Sequence, residues 1–326
     1  MKELPAAWRL ARILRLHRPP SPRTFAAMAP GTGRRGPSGQ ELRGPEQKTK
    51  ALELPPQEES DNPLKTPAIE AENVRRVYDT IAEHWNHTRY KAWPRVDAFI
   101  RNLAPGSLVA DLGCGNGKNV PAVREVGGFS IASDACAPLA RIASDSHGAA
   151  AVVADCLNAP FRNGTFDAAL SIAVLHHLST EARRAQALRE AARLLRPGGE
   201  LLVYCWSYEQ DDARSRSRHR FAAQDVLVPW NFRLPKVRKP SAASGAAGAE
   251  AEAAQGSAQV AAAGAEQGPG AQDGQWEEAP EVCQRYCHVY REGELVELLA
   301  QVPELEVVES YFDTGNWCAI ARRRPS

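Results

Sequence analysis

An α/β fold built on a doubly wound seven-strand sheet, mostly parallel with an antiparallel C-terminal hairpin, is what this sequence predicts, and three observations predict it. Short apolar runs alternate with amphipathic stretches between residues 107 and 206, the pattern of parallel strands joined by right-handed helical crossovers. A glycine-rich turn, Gly113-Cys114-Gly115-Asn116-Gly117, follows the first of those runs. Two further apolar runs near the C-terminus flank a tight turn at Thr314-Gly315, as in a hairpin.

Each element follows in order. Residues 1–66 read as a disordered leader, because Pro, Gly, Lys and Glu dominate them and apolar periodicity fades after the first turns. Thr66 before Pro67 is a helix start, with Thr as cap and Pro in the first turn. Val74, Val77, Tyr78 and Ile81 then repeat at helical spacing. A second helix carries Val96, Phe99, Ile100 and Leu103 and ends at Pro105-Gly106. Strands are expected at Ser107–Leu112, Phe129–Asp134, Ala150–Ala154, Phe166–Ile172 and Glu200–Trp206, with helices at Pro138–Ser144 and from Thr180 to Leu195. The core so defined spans 67–206. Residues 207–282 read as a low-complexity insertion: 240–275 is almost wholly Ala, Gly, Glu, Gln and Ser, which cannot build a core. One apolar island, QDVLVPWNF at 224–232, interrupts it. Residues 283–326 return to order, with Tyr286–Val289, a helix from Glu292 to Ala300, and hairpin strands Leu305–Phe312 and Trp317–Ala321.

Bulk properties exclude several classes. The chain has 326 residues, 43% hydrophobic and 24% charged, with a formal net charge of +1, so no overall charge draws it to nucleic acid, although local basic patches remain open. Seven cysteines without paired zinc-type spacing fit free thiols in a reducing compartment. Cys283, Cys287 and His288 come nearest to a metal signature, but without a second cluster they read as strand residues and no metal is expected. No apolar run reaches the roughly 18 residues of a membrane span. A cytoplasmic location, with the nucleus as a further one, is expected. The leader qualifies this: eight basic residues from Lys2 to Arg35 face one acid, Glu3, which is the composition of a mitochondrial transit peptide. A start at Met28 would bypass its first turns.

The glycine turn carries the sharpest chemical signal. Asp111 stands two residues before Gly113, and the glycines let a ligand approach the backbone at a strand's carboxyl end. The spacing G-x-G-x-G differs from the dinucleotide pattern G-x-G-x-x-G and suits a cofactor with a carboxylate-and-amine tail. Asp134 ends the second strand, where an acid can accept from ribose hydroxyls, and Asp155 follows the third, where it can accept from an adenine amino group. Each Asp alone is equally a strand-end turn residue or cap; three in succession form a pattern. With Phe166–Leu170 and Leu195–Gly199 in the same order, the chain resembles the Rossmann-like class I S-adenosylmethionine-dependent methyltransferases. The resemblance implies S-adenosyl-L-methionine as cofactor, held by Asp111, Gly113, Cys114, Gly115, Asn116, Gly117, Asp134, Asp155 and Val174.

A narrower resemblance covers about residues 69–206, 224–232 and 283–321. It rests on Val77–Ala82, Trp93-Pro94, Ala110–Lys118, Ser171–His177, Asp225–Trp230, Arg291–Leu295 and Gly315–Cys318. These stretches resemble the tRNA wobble-uridine carboxymethyl methyltransferases, both freestanding and fused to an AlkB-type dioxygenase; with no dioxygenase iron motif the chain matches the freestanding form. The resemblance implies methylation of 5-carboxymethyluridine at the wobble position (U34), with the tRNA anticodon stem-loop as substrate and a small zinc-binding activator as partner. Two departures stand out: Arg75 where the family often has His, and Cys287 where it has an aromatic residue.

A carboxylate acceptor needs no strong base, so catalytic machinery should be sparse. Candidate substrate contacts are His176, His177 and Arg89, as the positive groups nearest the acceptor, with Trp93 and Trp230 as stacking surfaces. Core packing explains the histidines and Trp230 as well, and a helix start explains Trp93. Trp317 has the same two readings. The arginines at 214, 216, 218 and 220 are phosphate contacts or a solvated loop. Two rival functions stay open: a methyltransferase for small carboxylic acids, and a silent scaffold with the same fold. Ala150–Ala154 is a candidate edge strand for the activator, or is covered by neighbouring helices.

Overall fold

The computed structural model describes residues 47–48, 50–51, 62–87, 91–210, 219–232 and 281–325. The basic stretch from Lys2 to Arg35, the alternative start at Met28, the low-complexity stretch 240–275 and Arg89 lie outside them. Seven strands make the main sheet: β1 (Leu108–Leu112), β2 (Phe129–Asp134), β3 (Ala150–Val153), β4 (Phe166–Ile172), β5 (Leu195–Trp206), β8 (Leu305–Asp313) and β9 (Asn316–Arg323). Between β5 and β8 lie β6 (Asp225–Phe232) and β7 (Glu281–His288), which form a second, three-stranded sheet with Lys50–Ala51 paired to the other edge of β6. The spatial order is β8-β9-β5-β4-β1-β2-β3, so the order reverses between β4 and β1. β1 to β5 run parallel, β9 is antiparallel to β5, and β8 is antiparallel to β9. The doubly wound sheet and its C-terminal hairpin are as the sequence predicts.

Alternation of small and branched residues along the strands feeds two cores, one on each face. Ala110, Leu112, Ala169, Leu201 and Val203 pack with Leu188 and Ala191 of α5 (Glu181–Leu194) and with Leu298 and Leu299 of α6 (Glu294–Ala300). Val109, Ala168, Leu170 and Leu202 face the other way, onto Val96 and Ile100 of α2 (Pro94–Arg101) and Val123 of α3 (Val120–Glu125). α4 (Ala137–His147) lies beside β2 and β3 and ends at Gly148, whose φ of +61° supplies the left-handed cap. At Thr314-Gly315 both residues have positive φ, +50° and +81°, the twist a two-residue hairpin requires.

Three local expectations change. Pro67, not Thr66, is the N-cap residue of the opening helix, and no side chain caps it; its carbonyl takes the first helical N–H groups, Glu70 and Ala71. The strand expected from Glu200 begins at Leu195, across an irregularity opposite Phe166 and Ala168 that includes Pro197 and Gly198. The apolar island 224–232 is not a lone feature: β6 pairs along its whole length with β7, from Asp225 opposite His288 to Phe232 opposite Glu281. Cys283 and Cys287 are strand residues of β7, and His288 at its end hydrogen-bonds Asp225 and Glu294.

The opening helix consists of Ala68–Glu70, a π-helical segment Ala71–Arg75 and α1 (Arg76–Asn86). A buried ion pair ties it down. Arg183 of α5 meets the Glu70 carboxylate at 2.8–3.1 Å, and the two side chains are 2% and 4% exposed. Ser179 adds its N–H and hydroxyl to the same carboxylate, and Arg183 also donates to the carbonyls of Pro63 and Lys65. With every donor placed, the desolvation cost of the pair is offset.

Candidate active site

A cavity opens at the carboxyl ends of the parallel strands, beside the reversal between β4 and β1, where doubly wound sheets bind ligands. Gly113 and Gly115 form one wall, with φ of +76° and +56°. A Cβ on Gly113 would fall 2.4 Å from Val174 Cγ2, and one on Gly115 would fall 2.6 Å from the Trp85 ring. Only glycine fits both the conformation and the space.

Asp134, at the end of β2, accepts the Gly115 N–H and the Cys136 N–H, each at 2.8 Å. It therefore holds the glycine turn and presents its remaining lone pairs to the cavity. Burial raises its pKa, against the lowering effect of those two N–H groups. Asp155, just past β3, accepts from Leu157 N–H and from Arg75 at 2.5 Å. Gly113, Cys114, Gly115, Asp134, Asp155 and Val174 all line the cavity.

Asp111, Asn116 and Gly117 do not line it, because the turn points them elsewhere. Asp111 lies beneath, bonded to Asn119 at 3.2 Å, and burial pushes its pKa up to about 6. Asn116 donates to Asn86, and Gly117 abuts Ala143. Buried acceptor atoms there without a donor include Asp111 Oδ1 and, on the cavity wall itself, Asn119 Oδ1. A cationic amine supplies such donors, so Asn119 on the wall, held from beneath by Asp111, fits the amino-acid tail of S-adenosylmethionine. Asp134 and Asp155 fit its hydroxyl and amino groups.

The opposite wall is assembled from distant segments. After β4, Ala173 takes a left-handed φ of +63°, an uncommon conformation for a residue with a Cβ. A short 3-10 turn, Leu175–His177, follows. His177 lies between the Tyr286 carbonyl, 2.9 Å from Nδ1, and the Tyr78 hydroxyl, 2.9 Å from Nε2. Since a carbonyl only accepts, Nδ1 carries the proton and Nε2 faces the hydroxyl as acceptor. Burial brings the His177 pKa down to about 4, with Arg285 pushing the same way. His176 accepts the Trp206 N–H at 3.3 Å, and burial takes its pKa well below the usual histidine range. The expectation of two positive histidines is thereby corrected: both line the cavity, and both are neutral there.

Four other cations reach the cavity: Arg75, Lys118, Arg183 and Arg285. Arg75 pairs with Asp155 and Arg183 with Glu70. Lys118 stands 4.3 Å above the Trp93 ring. Arg285, on β7, stacks on Trp206 and Trp230 at 5.6 and 4.7 Å. Trp93 is the N-cap residue of α2, the helix start expected there, and it also lines the cavity. Trp230 stands one layer back, bonded to His84 and under Arg285, and does not line the cavity. Trp317 bonds Glu209 and packs on Phe312, also away from the wall. Arg220 donates to the Gln210 carbonyl, and positions 214, 216 and 218 lie outside the described residues.

Sequence reasoning missed Arg285, Lys118, Tyr78 and Trp206 as cavity residues. An arginine set among apolar and aromatic residues in Val282–Val289 was a signal, since such a strand has a buried face. His176, His177 and Cys287 also converge, their ligand-type atoms within 4.8 Å of one another. Both His177 nitrogens already serve hydrogen bonds and Arg285 stands close by, an arrangement that opposes a cation. No helix among the described residues is long and apolar enough to cross a membrane.

Residues 110–203 match the family model described as "Methyltransferase domain". The tRNA (carboxymethyluridine(34)-5-O)-methyltransferase of Schizosaccharomyces pombe is 38% identical over 261 residues, covering 78% of this chain and 99% of that protein. A human protein named "Probable tRNA methyltransferase 9B" is 46% identical over 166 residues, 51% of this chain but 35% of its own length. The chain thus spans about a third of that relative. Among solved structures, the 1,6-didemethyltoxoflavin-N1-methyltransferase of Burkholderia thailandensis, with bound 1,6-didemethyltoxoflavin and S-adenosylhomocysteine, superposes with a TM-score of 0.52 at 17% identity, over 85% of this chain and 95% of its own. That likeness is one of fold.

Proposed function

We infer the function from one premise: the chain belongs to the tRNA (carboxymethyluridine(34)-5-O)-methyltransferase family, whose members depend on S-adenosylmethionine. On that premise it esterifies the carboxylate of 5-carboxymethyluridine at the wobble position of a tRNA anticodon. The observation that carries this reading is one cavity with two unlike ends, a glycine and carboxylate cradle at one and Arg285 among Trp206, His176 and His177 at the other.

S-adenosylmethionine, when bound, supplies a methyl group activated by its sulfonium. Gly113, Gly115, Asp134, Asp155 and Asn119 are the residues that would hold it. The acceptor carboxylate is already ionised at neutral pH, so no side chain has to remove a proton. Neutral His176 and His177 suit such a reaction, since they shape the pocket without repelling a cationic donor. Alignment of the two reactants is the main contribution, on the order of 7–11 kcal/mol where the geometry is good.

A small zinc-binding activator protein is the partner we assign to the edge of the sheet. β3 is an outer strand, and Val153 on it is 57% exposed. Such an uncharged edge accepts another chain's strand. Val153→Asp should abolish co-purification with the activator while the protein still binds S-adenosylhomocysteine; equal recovery would exclude this edge. For the function itself, nucleoside mass spectrometry of tRNA from cells lacking the protein should show the methyl ester lost and the free acid accumulated. An unchanged nucleoside profile would refute it.

A further inference from the structure

Arg285 is a buried cation without a buried anion. Its residue exposure is 3%. Its Nε has no hydrogen-bond partner, and its one hydrogen bond to a side chain is a long one, 3.5 Å to the Tyr78 hydroxyl. Among the described residues no carboxylate lies within ion-pair range of it, whereas Arg75 and Arg183 on the same cavity each have one. Two indole rings hold its guanidinium, Trp206 and Trp230, and rings fix a plane without neutralising the charge. The other neighbours that could take up its charge, His176 and His177, are neutral. A buried guanidinium left in this state destabilises the fold unless an anion arrives.

We propose that Arg285 receives the carboxylate of the methyl acceptor, and that this pairing selects carboxymethyl over neutral 5-substituents. The proposal rests on the reading of this cavity as a site of carboxylate methylation. A planar guanidinium matches a carboxylate with two parallel N–H donors, and the Arg285 Nε is a buried donor without a partner. The acceptor loses its charge on becoming an ester, so the grip is strongest before transfer and slackens on the product. Arg285 should therefore act chiefly on KM and on product release rather than on the methyl-transfer step.

The test compares two anticodon stem-loop RNAs, one carrying 5-carboxymethyluridine and one the neutral carbamoylmethyl analogue, on wild type, Arg285→Gln and Arg285→Lys, each with its activator. S-adenosylhomocysteine affinity by calorimetry reports an intact cofactor half. Wild type should bind the acid RNA about 10- to 100-fold more tightly than the amide, the range of one charge-assisted pair. Arg285→Gln should lose that preference and raise KM for the acid RNA by a similar factor, with Arg285→Lys between them. A wild type without preference, or Arg285→Gln that keeps it with cofactor binding intact, overturns the proposal. If wild type methylates neither RNA, the RNA reading fails and Arg285 is judged with phenylacetate. Thermal stabilisation of wild type and not of Arg285→Gln by that acid supports the carboxylate grip, and no difference overturns it.

Discussion

The two ends of the cavity are built in opposite ways. The cofactor end is local: Gly113, Gly115, Asp134 and Asp155 lie within a short span of chain, on turns that follow three adjacent strands. Its geometry follows from backbone conformation, with glycines at positive φ and carboxylates on neighbouring N–H groups. The acceptor end is composite. Tyr78 comes from the opening helix, His177 from the turn after β4, Trp206 from the end of β5 and Arg285 from β7. Side chains hold it together across long separations, as where His177 bridges Tyr78 and Tyr286. A local site is thus secured by the fold of one motif, and a composite one only by long-range tertiary contacts.

Substitutions should separate the two ends. The largest effect is expected from Arg183→Met, which leaves Glu70 buried without its partner and releases the opening helix from α5. Breaking such a pair costs about 3–5 kcal/mol, or roughly 6–20 °C in Tm; calorimetry showing a change under about 2 °C would mean that the helix has other anchors. Asp134→Ala comes next and acts on the cofactor end alone. Losing the bonds to Gly115 and Cys136 loosens the turn, and loss of contacts to the ligand adds to that. S-adenosylhomocysteine should bind roughly 10- to 150-fold more weakly, with Tm little changed, and unaltered affinity in calorimetry would remove Asp134 from the site.

Acid should strike the acceptor end. His177 has a pKa of about 4 in the fold against an ordinary 6.5, so the unfolded chain binds a proton that the folded one refuses. The stability this represents is complete above pH 6.5 and drains away as pH falls toward 4, by up to about 1.4 kcal/mol per pH unit. His176 acts in the same direction. His288 acts in the other: burial lowers its pKa, but hydrogen bonds to Asp225 and Glu294 outweigh that and raise it, so its contribution is present below 6.5 and is lost as pH rises through the raised value. His177→Asn should flatten the fall in Tm between pH 6.5 and 4, and a slope equal to that of wild type would contradict its buried neutral state. The smallest effect is expected from deleting residues 241–272. Shortening the connection between β6 and β7 about threefold changes closure entropy by about 1 kcal/mol, so turnover should stay near wild type, and a severe loss in a folded protein would show that the segment has a role of its own.

The same contrast explains what could be read in advance. The strand order and the cofactor wall were legible because period, glycine spacing and strand-end acids are all short-range signals. Even there, Asp111, Asn116 and Gly117 belong to the motif without reaching the cavity, since spacing does not say which way a turn points. The acceptor wall was only partly legible. His176, His177 and Trp93 could be named from their motifs, but the neutrality of the histidines depends on burial, which no local pattern encodes. Arg285 stayed hidden because its meaning comes from the absence of a nearby carboxylate in three dimensions. The pairing of the 224–232 island with β7 was hidden by the long connection between them.

β5 finds its second neighbour, β9, only when Asn316–Arg323 has been made. At 5–20 residues per second that is roughly 6–24 s after β5 itself has emerged. During that interval a nascent chain holds the complete glycine turn but lacks the strand that flanks β5 and, for about its first two thirds, lacks Arg285. A premature stop between residues 206 and 285 therefore yields a product with the recognisable motif and no means of gripping an acceptor, so the intact motif alone cannot certify a transcript as encoding a working enzyme.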